Sequence, residues 1–545
     1  PALVDLSLVA CREMNYREAF DLARRALSID TYDPAANYYY GLAALRLGRT
    51  TDAKDGFDIA AQSVEFRSAA YVELSRIYFR EGKYERALDY AGKAIDFNRY
   101  NLEAHQIIAV IHRLRNDRRA GMEALGGILS IDPLNHFARF ERSLWEGTEQ
   151  SRRDFSSLIR NEMPHETYLE LAIWYGNLGR FVESDGVLRL APENPEVLYW
   201  RAYLKERTGQ PGIDEMIRQA NQASPHLVFP FRAETADVLT WVAGRNGSWQ
   251  PKYYLALIRR GLGDEAGAWK LLSSCGDAPE YAPFYAARAQ LAWKSNAGSD
   301  PLADAEKSAR LDPREWRYGR LLAEYHMTSS QPERALQIAR KYHEQEPDNY
   351  QLGALYARTL LLNRQYQACS DLLGRLNLLP YEGSTEGRLL YKEAQLMLAL
   401  EKMKAGDHAG ALKFISAARL WPENLGAGKP YPEMVDERLE DWLESICQEK
   451  LGRGAEAKAT LDRIASFRIS RFDVNSLVSA LALRKLGRGE EGARLLTDAP
   501  ARGRGRTEPL RDWCVAVYEG KQVSDPGFND INFRVVREWA QMKIK

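Results

Sequence analysis

Residues 16–26 read YREAFDLARRA, and the segment recurs with variations as TTDAKDGFDIA at residues 50–60 and YERALDYAGKA at residues 84–94. Ala19, Ala53 and Ala87 hold the same place in the three segments, 34 residues apart, and Ala120 follows after a further 33. A fixed period of this size indicates an array of identical supersecondary units.

A second row of small residues lies twelve positions before the alanines. Gly41 precedes Ala53 in this way, and Ser75 precedes Ala87. Small side chains at both positions allow the two helices of one hairpin to approach closely. Turn signals such as Gly82-Lys83 separate the helices. The sequence therefore predicts four pairs of amphipathic helices over residues 5–133.

This register resembles the tetratricopeptide repeat family, whose unit is a 34-residue helix–turn–helix with small residues at these places. Asp33-Pro34 and Asp132-Pro133 match the proline that closes the family's repeat. The resemblance implies an all-α fold, a right-handed superhelical solenoid. Followed to the end of the chain, the pattern gives about fifteen helix–turn–helix repeats. Such solenoids escape the usual size limit of a domain because each repeat contacts only its neighbours.

The regularity of the repeats varies along the chain and predicts four segments. Residues 1–133 are regular repeats, residues 134–250 are irregular repeats and the candidate binding region, residues 251–509 are repeats with inserted loops, and residues 510–545 are C-terminal capping helices. The period returns between Ala335 and Ala368, 33 residues apart. Insertions around Pro380–Gly387 and Trp421–Pro432 then lengthen it.

The irregular region has two distinct departures from the register. His136–Glu146 predicts a first helix, and Arg153–Asn161 predicts a shortened second helix. The span 224–249 contains Pro225 and Pro230, and a proline pushes the preceding residue out of helical geometry. We therefore expect an irregular entry there into one helix, Ala233–Ala243.

Composition excludes several classes of function. Lys plus Arg and Asp plus Glu both total 75 in 545 residues, so the net charge of zero argues against bulk attraction to nucleic acid or anionic membranes. Five dispersed cysteines with no CxxC pair suggest neither a zinc ribbon nor a disulfide framework. No apolar run approaches the roughly 18 residues of a membrane span. The chain begins at Pro1 without methionine, so we interpret it as a fragment; a cytoplasmic location is favoured, but a signal is not excluded.

Motifs for catalysis and cofactors are weak. Leu425–Pro430 reads LGAGKP, but Walker A needs glycine where Glu423 stands and Ser or Thr where Pro430 stands. The eight histidines include no HExxH, so we expect no metal and no cofactor, and the catalytic residues are unknown. The basic run at Arg502, Arg504 and Arg506 has no interleaved aromatic residues and is typical of a solvated turn.

Departures from the repeat register concentrate where aromatic and charged residues accumulate, which suggests binding on the concave face. Rings stack on ligand faces, and charged groups fix orientation. The alternative is that most of these rings are inter-helix core and that the charges form ion pairs between helices. The candidate binding residues are His136, Arg139, His165, Glu166, Trp174, Phe231, Arg232, Glu234, Lys252 and Tyr253. We expect Glu166, Glu234 and Tyr253 to face one cavity, and the Trp421–Tyr431 loop to be a second contributor.

The inner face can also be compared with that of tetratricopeptide proteins that clamp acidic chaperone tails. Those proteins carry asparagine one residue after the small residue of the first helix. No asparagine occupies the matching positions here, among them Leu42, Arg76 and Leu257. The resemblance therefore implies a mixed groove rather than that clamp, with Arg320 and Glu324 among the residues that face it.

Three phrases resemble a narrower group, the C-terminal repeat half of large bacterial proteins with an uncharacterised, β-rich, carbohydrate-related N-terminal domain. They are DPLNHFARFE at residues 132–141, PHETYLE at residues 164–170 and WPENLG at residues 421–426. This resemblance supplies no catalytic residues. It leaves a glycan site among Glu166, Glu170 and Glu234 as an alternative, because a glycosidase pair is defined by spatial separation.

The leading functional hypothesis is therefore a non-enzymatic interaction scaffold that binds a protein or peptide, including its own N-terminal domain. The alternative is the repeat portion of a carbohydrate-active protein that lines or completes a glycan site. A homo-oligomeric scaffold is the weaker third hypothesis. Neither nucleic acid nor a membrane span is expected.

Overall fold

The computed structural model describes residues 1–245, 247–295, 301–468, 471–498, 507–521, 523–528 and 530–544. These residues form 31 α-helices and two short 3-10 turns, and no strand occurs among them. The helices group into two compact units, Pro1–Ser299 (unit 1) and Asp300–Lys545 (unit 2). The predicted all-α repeat solenoid is confirmed, and the right hand of its superhelix stays a prediction.

The helices of unit 1 follow one another with short connections. They are α1 Ala2–Arg12, α2 Tyr16–Leu27, α3 Pro34–Arg46, α4 Thr50–Ala60, α5 Arg67–Arg80, α6 Tyr84–Phe97, α7 Leu102–Leu114, α8 Arg118–Ile131, α9 His136–Glu146, α10 Glu149–Ser157, α11 Pro164–Asn177, α12 Phe181–Leu188, α13 Pro195–Arg207, α14 Ile213–Gln222, α15 Ala233–Arg245, α16 Trp249–Gly261, α17 Glu265–Ser273 and α18 Ala282–Ser295.

The helices of unit 2 include α24, the longest helix in the described part of the chain. They are α19 Pro301–Leu311, α20 Trp316–Thr328, α21 Pro332–Gln345, α22 Tyr350–Leu362, α23 Tyr366–Leu373, α24 Glu386–Lys404, α25 His408–Ala418, α26 Arg438–Lys450, α27 Gly454–Ala465, α28 Val474–Lys485, α29 Gly489–Asp498, α30 Thr507–Tyr518 and α31 Ile531–Ile544.

In chain order, the described helices form fourteen successive pairs, each with a first and a second helix, and three single helices, α15, α30 and α31. The count agrees with the predicted fifteen or so repeats. The pair formed by α18 and α19 spans the boundary between the units, and its packing stays a prediction. The four predicted segments stay predictions as well, and the basic run at Arg502, Arg504 and Arg506 lies outside the described residues.

The small residues of the register do bring the two helices of a hairpin together. Ala53 and Ala87 are fully buried. A Cβ atom on Gly41 would lie 2.8 Å from the ring of Phe57, and one on Gly56 would lie 2.7 Å from the backbone oxygen of Asn37. Because α3 and α4 cross at this contact, larger side chains there would force the helices apart.

The register is shifted by one residue from the prediction in two repeats. Ala120 is only half-buried, and the buried small residue is Gly121, where a Cβ atom would lie 2.8 Å from the Trp145 ring. Ala368 is exposed, and Cys369 is fully buried and donates its thiol to the backbone oxygen of Ala357, twelve residues earlier. Glycine and cysteine therefore fill a position for which only alanine was considered, and the interval is 34 residues in both repeats.

The irregular region follows the prediction with one correction. The single helix predicted at Ala233–Ala243 is α15, which extends to Arg245. The predicted second helix at Arg153–Asn161 is wrong in position, since α10 spans Glu149–Ser157. Its start is fixed by Thr148, whose hydroxyl accepts a hydrogen bond of 3.1 Å from the backbone N–H of Ser151.

Two insertions in unit 2 contact each other. The Asn424 side chain donates to the backbone oxygens of Leu373, at 3.0 Å, and Leu376, at 2.7 Å. The backbone N–H of Leu378 donates to the backbone oxygen of Asn424 at 2.8 Å. A Cβ atom on Gly387 would lie 2.5 Å from the Leu425 oxygen. The loop after α25 is therefore packed against the loop between α23 and α24.

None of the helices in the described part of the chain combines the length and apolar character that crossing a bilayer requires.

Candidate functional site

Three of the predicted binding residues meet at the N-terminal ends of first helices in unit 1. His165 and Glu166 lie in the first turn of α11, and Arg232 directly precedes α15. The Arg232 guanidinium donates to the Glu166 carboxylate and, at 3.4 Å, to the Glu166 backbone oxygen. His165 Nε2 lies 3.5 Å from Glu166 Oε1. The structure thus joins residues 66 positions apart in sequence into one ion-paired group.

The charge of Glu166 is stabilised in this group. Burial raises the pKa of its carboxyl, but hydrogen bonds from His165 and Arg232 and the positive charge of Arg232 outweigh burial and hold the pKa below its ordinary value. Glu166 is therefore an ionised partner of Arg232 rather than a proton donor.

A second carboxyl lies next to this pair and was not predicted. Glu196, in the first turn of α13, is only 2% exposed. Its Oε1 accepts a hydrogen bond of 2.8 Å from the Thr235 hydroxyl, which in turn accepts one of 3.0 Å from the Trp200 indole. Glu196 Oε2 has no hydrogen-bond partner among the described residues. Burial, with the nearby charge of Glu166, raises the pKa of Glu196 to about 7.

We call His165, Glu166, Glu196, Arg232 and Thr235 the unit 1 cluster. It connects the starts of α11, α13 and α15. Among the described helices of unit 1, α15 is the first helix that has no second helix beside it in the chain. The cluster therefore holds α15 in the stack by polar contacts that a regular hairpin does not need. Glu196 had a sequence signal, since it follows a helix-starting proline much as Glu166 does.

Glu234 is not part of this cluster. Its Oε1 lies 3.0 Å from the Arg46 guanidinium at the end of α3, and Asp237 is 3.8 Å from the same group. Arg46 also lies over the Tyr16 ring, 5.5 Å from its centroid. Residues 188 positions apart are thus in contact, so α3 and α15 of unit 1 face each other directly. Arg46 carried no sequence signal, because the contact depends on how far the stacked hairpins curve.

The expectation that Glu166, Glu234 and Tyr253 share a cavity is wrong. Tyr253 is 4% exposed and lies among aromatic rings, with centroids 6.1 Å from Trp249 and 5.9 Å from Phe284. The three side chains occupy three different surroundings because each first helix turns relative to its neighbour.

The other candidates of this region divide into core and surface residues. Trp174 packs on Phe137 with ring centroids 4.5 Å apart. His136 lies edge-on to a phenylalanine of α10, and burial lowers the pKa of its imidazole. Arg139 donates to the Pro133 oxygen at 2.8 Å. Lys252 is half-buried, and Phe231 is 61% exposed beneath the Arg232 guanidinium, 4.3 Å from its ring centroid.

Unit 2 contains a second candidate site, which sequence reasoning located only in part. A cavity of 260 Å³ lies against α20, α22 and α24, all of them first helices. Arg320 donates to Gln351 at 2.7 Å and lies 3.6 Å from Glu324. Arg358 pairs with Glu386 at the start of α24. Arg320 and Glu324 had been expected to face the groove, whereas Arg358 and Glu386 had not.

A larger cavity of 1160 Å³ adjoins the first and shares with it Arg358, Tyr381 and Glu386. It lies between α22, α24 and the C-terminal helix α31. Tyr381, from the loop between α23 and α24, is 67% exposed. We call the two cavities together the unit 2 groove. The Trp421–Tyr431 loop does not line it but supports, through Asn424, the loop that does.

The described residues offer little for catalysis. They contain no group of three or more His, Cys, Asp or Glu side chains placed to hold a metal ion. Burial, together with the Glu393 charge, raises the pKa of Cys369 to about 12, so its thiol is not a thiolate nucleophile at neutral pH. The unit 1 cluster and the unit 2 groove are arranged to pair charges and to contact apolar groups.

No protein-family model and no curated protein matches the chain. Solved structures do match. Yeast Tom70 is 13% identical over 89% of this chain and 95% of its own, with a TM-score of 0.28. A tetratricopeptide repeat protein from Parabacteroides merdae is 11% identical over 50% of this chain and 100% of its own, with a TM-score of 0.34. A thermophilic TPR protein from Thermus thermophilus is 21% identical over 36% of this chain and 99% of its own, with a TM-score of 0.22.

At these identities and TM-scores the likeness carries no conclusion about partners or activity. The helical repeat architecture rests on the chain's own structure, in which small buried residues recur with the 34-residue period of paired helices. By its register, the chain is therefore an array of hairpins of the tetratricopeptide type.

Proposed function

We propose that this chain is a tetratricopeptide-type interaction scaffold that binds a peptide segment of a partner protein in the unit 2 groove. The observation that carries the proposal is the pair of adjoining cavities, 260 and 1160 Å³, against three successive first helices. Binding pockets are typically ~300–1,000 Å³. The groove thus has room for several side chains of a peptide but is too open to enclose a small molecule.

The chemistry of the groove also favours a peptide. Its charges come as neighbouring pairs, Arg358 with Glu386 and Arg320 with Glu324, so it presents both signs within a short distance. Exposed apolar side chains, among them Leu379 and Tyr381, lie beside these pairs. A peptide offers amides, charged groups and apolar side chains at a similar spacing, and inner faces of helical repeats are the surfaces such scaffolds use.

Selection from a displayed peptide library tests this proposal on the intact chain. Peptides that bind should lose at least about tenfold in affinity when Arg320→Ala and Arg358→Ala are combined, as expected when interactions worth about 1.4 kcal/mol are removed. The matched control combines Arg334→Ala and Lys341→Ala, two exposed charges on the second helix α21. Selected peptides that bind both variants equally, or that respond to the control alone, would overturn the placement in the groove.

A second surface, in unit 1, is proposed from the exposed ring of Phe231 beneath Arg232. The double substitution Arg232→Ala with Glu166→Ala tests it. Loss of peptide binding at an unchanged melting temperature supports a site there. A large fall in melting temperature with no effect on binding means that this ion pair is structural, and the surface should then be dropped.

The carbohydrate-related alternative requires a glycan to contact the same side chains. Glu166 and Glu234, which were named for it, are each paired with an arginine, Glu166 with Arg232 and Glu234 with Arg46. Binding to a glycan array, or turnover of a polysaccharide by this chain, would favour the alternative over the peptide scaffold. A molar mass of two or more chains in light scattering would favour the homo-oligomeric scaffold.

A further inference from the structure

The C-terminal helix of unit 2 has an unusual position in the repeat array. The single helix α30 packs on the last hairpin, α28 and α29, and continues the stack. The next helix, α31, instead contacts α24 and α28, and its Trp539 ring lies 5.3 Å from that of Trp442 in α26. It therefore crosses the first helices of three successive hairpins, the face on which repeat scaffolds receive their partners.

The contact uses one apolar side of α31. Phe533, Val536 and Ala540 follow helical spacing and are buried, together with Val535 and Trp539. Amphipathic helices bind grooves in this manner, through anchors at positions three to four residues apart. The segment that connects α30 to α31 contains no helix among its described residues, so α31 is attached as a helix on a tether.

Two features of the receiving face select particular side chains. Glu393 of α24 is only 4% exposed and receives a two-pronged contact from the Arg534 guanidinium, with Nε 2.6 Å from Oε1. A buried carboxylate is costly unless a cation pairs with it. Trp442 is 1% exposed, and the Trp539 ring lies against it. The face is thus matched to an arginine and a tryptophan five positions apart on one helix.

The helix does not fill the space available to it. The cavity of 1160 Å³ remains between α31, α22 and α24. The rim of α31 is held by polar contacts, between Arg364 and Glu538 at 3.1 Å and between Arg537 and Asp525. Exposed ion pairs of this kind contribute little stability. The buried anchors therefore determine whether α31 stays in place.

We propose that the face formed by α24, α26 and α28 is a helix-binding surface, and that α31 is its resident occupant. A partner protein displaces α31 with an amphipathic helix that carries arginine and tryptophan at the spacing of Arg534 and Trp539. The proposal rests on the proposed function, since it names the partner that enters the unit 2 groove. The tether gives α31 an effective concentration of about a millimolar, so a free helix of equal affinity competes poorly with it.

The test uses the full chain and a fluorescein-labelled synthetic peptide of residues 530–544, followed by fluorescence anisotropy. In the host variant Arg534→Ala with Trp539→Ala, α31 lacks both anchors, and the peptide should bind at least about tenfold more tightly than to the unmodified chain, because the tethered competitor is weakened. The same peptide with both substitutions should not bind. The matched control host, Arg537→Ala with Gln541→Ala on the rim of α31, should resemble the unmodified chain.

Hydrogen exchange of α24, α26 and α28 in the host variant shows whether these helices stay folded. If they lose protection, α31 is a core helix rather than an exchangeable occupant, and the proposal is overturned. Retained protection without peptide binding overturns it as well, and so does equal binding to all three hosts. Library peptides that depend on Arg320 and Arg358 would still support the proposed function in each case, so the two failures are distinguishable.

Discussion

Glu196→Gln is the substitution for which the structure makes the sharpest quantitative prediction. Glu196 is almost completely buried, and only one of its oxygens, the acceptor from Thr235, has a hydrogen-bond partner among the described residues. Glutamine keeps the size of the side chain and an oxygen that can accept from Thr235, but it carries no charge at any pH. The substitution therefore isolates the cost of ionising a buried carboxyl beside Glu166.

The magnitude follows from the raised pKa. Burial and the Glu166 charge move the pKa of Glu196 from 4.5 to about 7, and each unit corresponds to about 1.4 kcal/mol. The folded state holds this proton more tightly than the unfolded state. Its contribution to the free energy of unfolding is fully present below about pH 4.5 and is lost as pH rises through about 7. Between about pH 5 and about pH 8, the native chain should lose about 2–3 kcal/mol relative to the variant.

Amide hydrogen exchange of α13 and α15 is the appropriate assay, because helices of a repeat array open locally. The ratio of protection, variant over native, should increase by roughly one to two orders of magnitude from about pH 5 to about pH 8. Comparing the two proteins at each pH removes the intrinsic pH dependence of exchange. It also cancels, to first order, the opposite contribution of Glu166, whose lowered pKa makes its stabilisation fall at acid pH.

The matched control is Glu193→Gln, an exposed glutamate three residues earlier. Its protection ratio should not change with pH. If protection in Glu196→Gln is unchanged or lower than in the native chain at about pH 8, Glu196 is a stabilising anion, and the reasoning from burial is refuted.

Three further predictions concern the repeat packing. Ala53→Leu should cost about 1–3 kcal/mol in thermal or urea unfolding, because the site is fully buried at a helix crossing, whereas Ala120→Leu should change stability by less than about 0.5 kcal/mol; equal costs would contradict the corrected register. Arg46→Ala should raise hydrogen exchange of α15 no more than about fivefold, and the effect should disappear in about 1 M salt, because the pair with Glu234 is partly exposed. Asn424→Ala should cost about 1–3 kcal/mol and increase exchange in the loop between α23 and α24, since two carbonyl oxygens lose their donor; unchanged exchange there would show that the two insertions are independent.

The fold was predictable because its determinants are local. Small residues twelve positions apart within one hairpin, and the 34-residue interval to the next hairpin, are visible without knowledge of tertiary structure. The errors at Ala120 and Ala368 arose because the position requires a small side chain rather than alanine. Gly121 and Cys369 satisfy that requirement through close approach to Trp145 and to the Ala357 backbone. A search for any small residue would have found both.

The candidate sites were less predictable because their partners are distant in sequence. His165, Glu166 and Arg232 were all named beforehand, but that they meet one another depends on the stacking of α11 and α15. Glu196 was missed although it lies in an equivalent helix turn. The contact of Arg46 with Glu234 depends on the curvature accumulated over several hairpins, which no local pattern encodes.

Buried ion pairs between first helices account for this division between what local patterns predict and what they do not. Arg113 Nε lies 2.6 Å from the fully buried Glu141, and Lys392 Nζ lies 2.7 Å from Glu440, which is almost as buried. Each pair joins α7 to α9 or α24 to α26, the first helices of successive hairpins.

Hairpins with nearly the same small-residue register are poor at distinguishing their neighbours, since alanine and glycine fit many surfaces. A buried charge left without its partner costs about 3–5 kcal/mol, so each pair penalises a wrong neighbour or a slipped one. Charges on first helices therefore serve stacking before they serve binding. Those that bind a partner are to be sought where pairing leaves them half-exposed beside a cavity, as at Arg320 and Arg358, rather than where burial is complete.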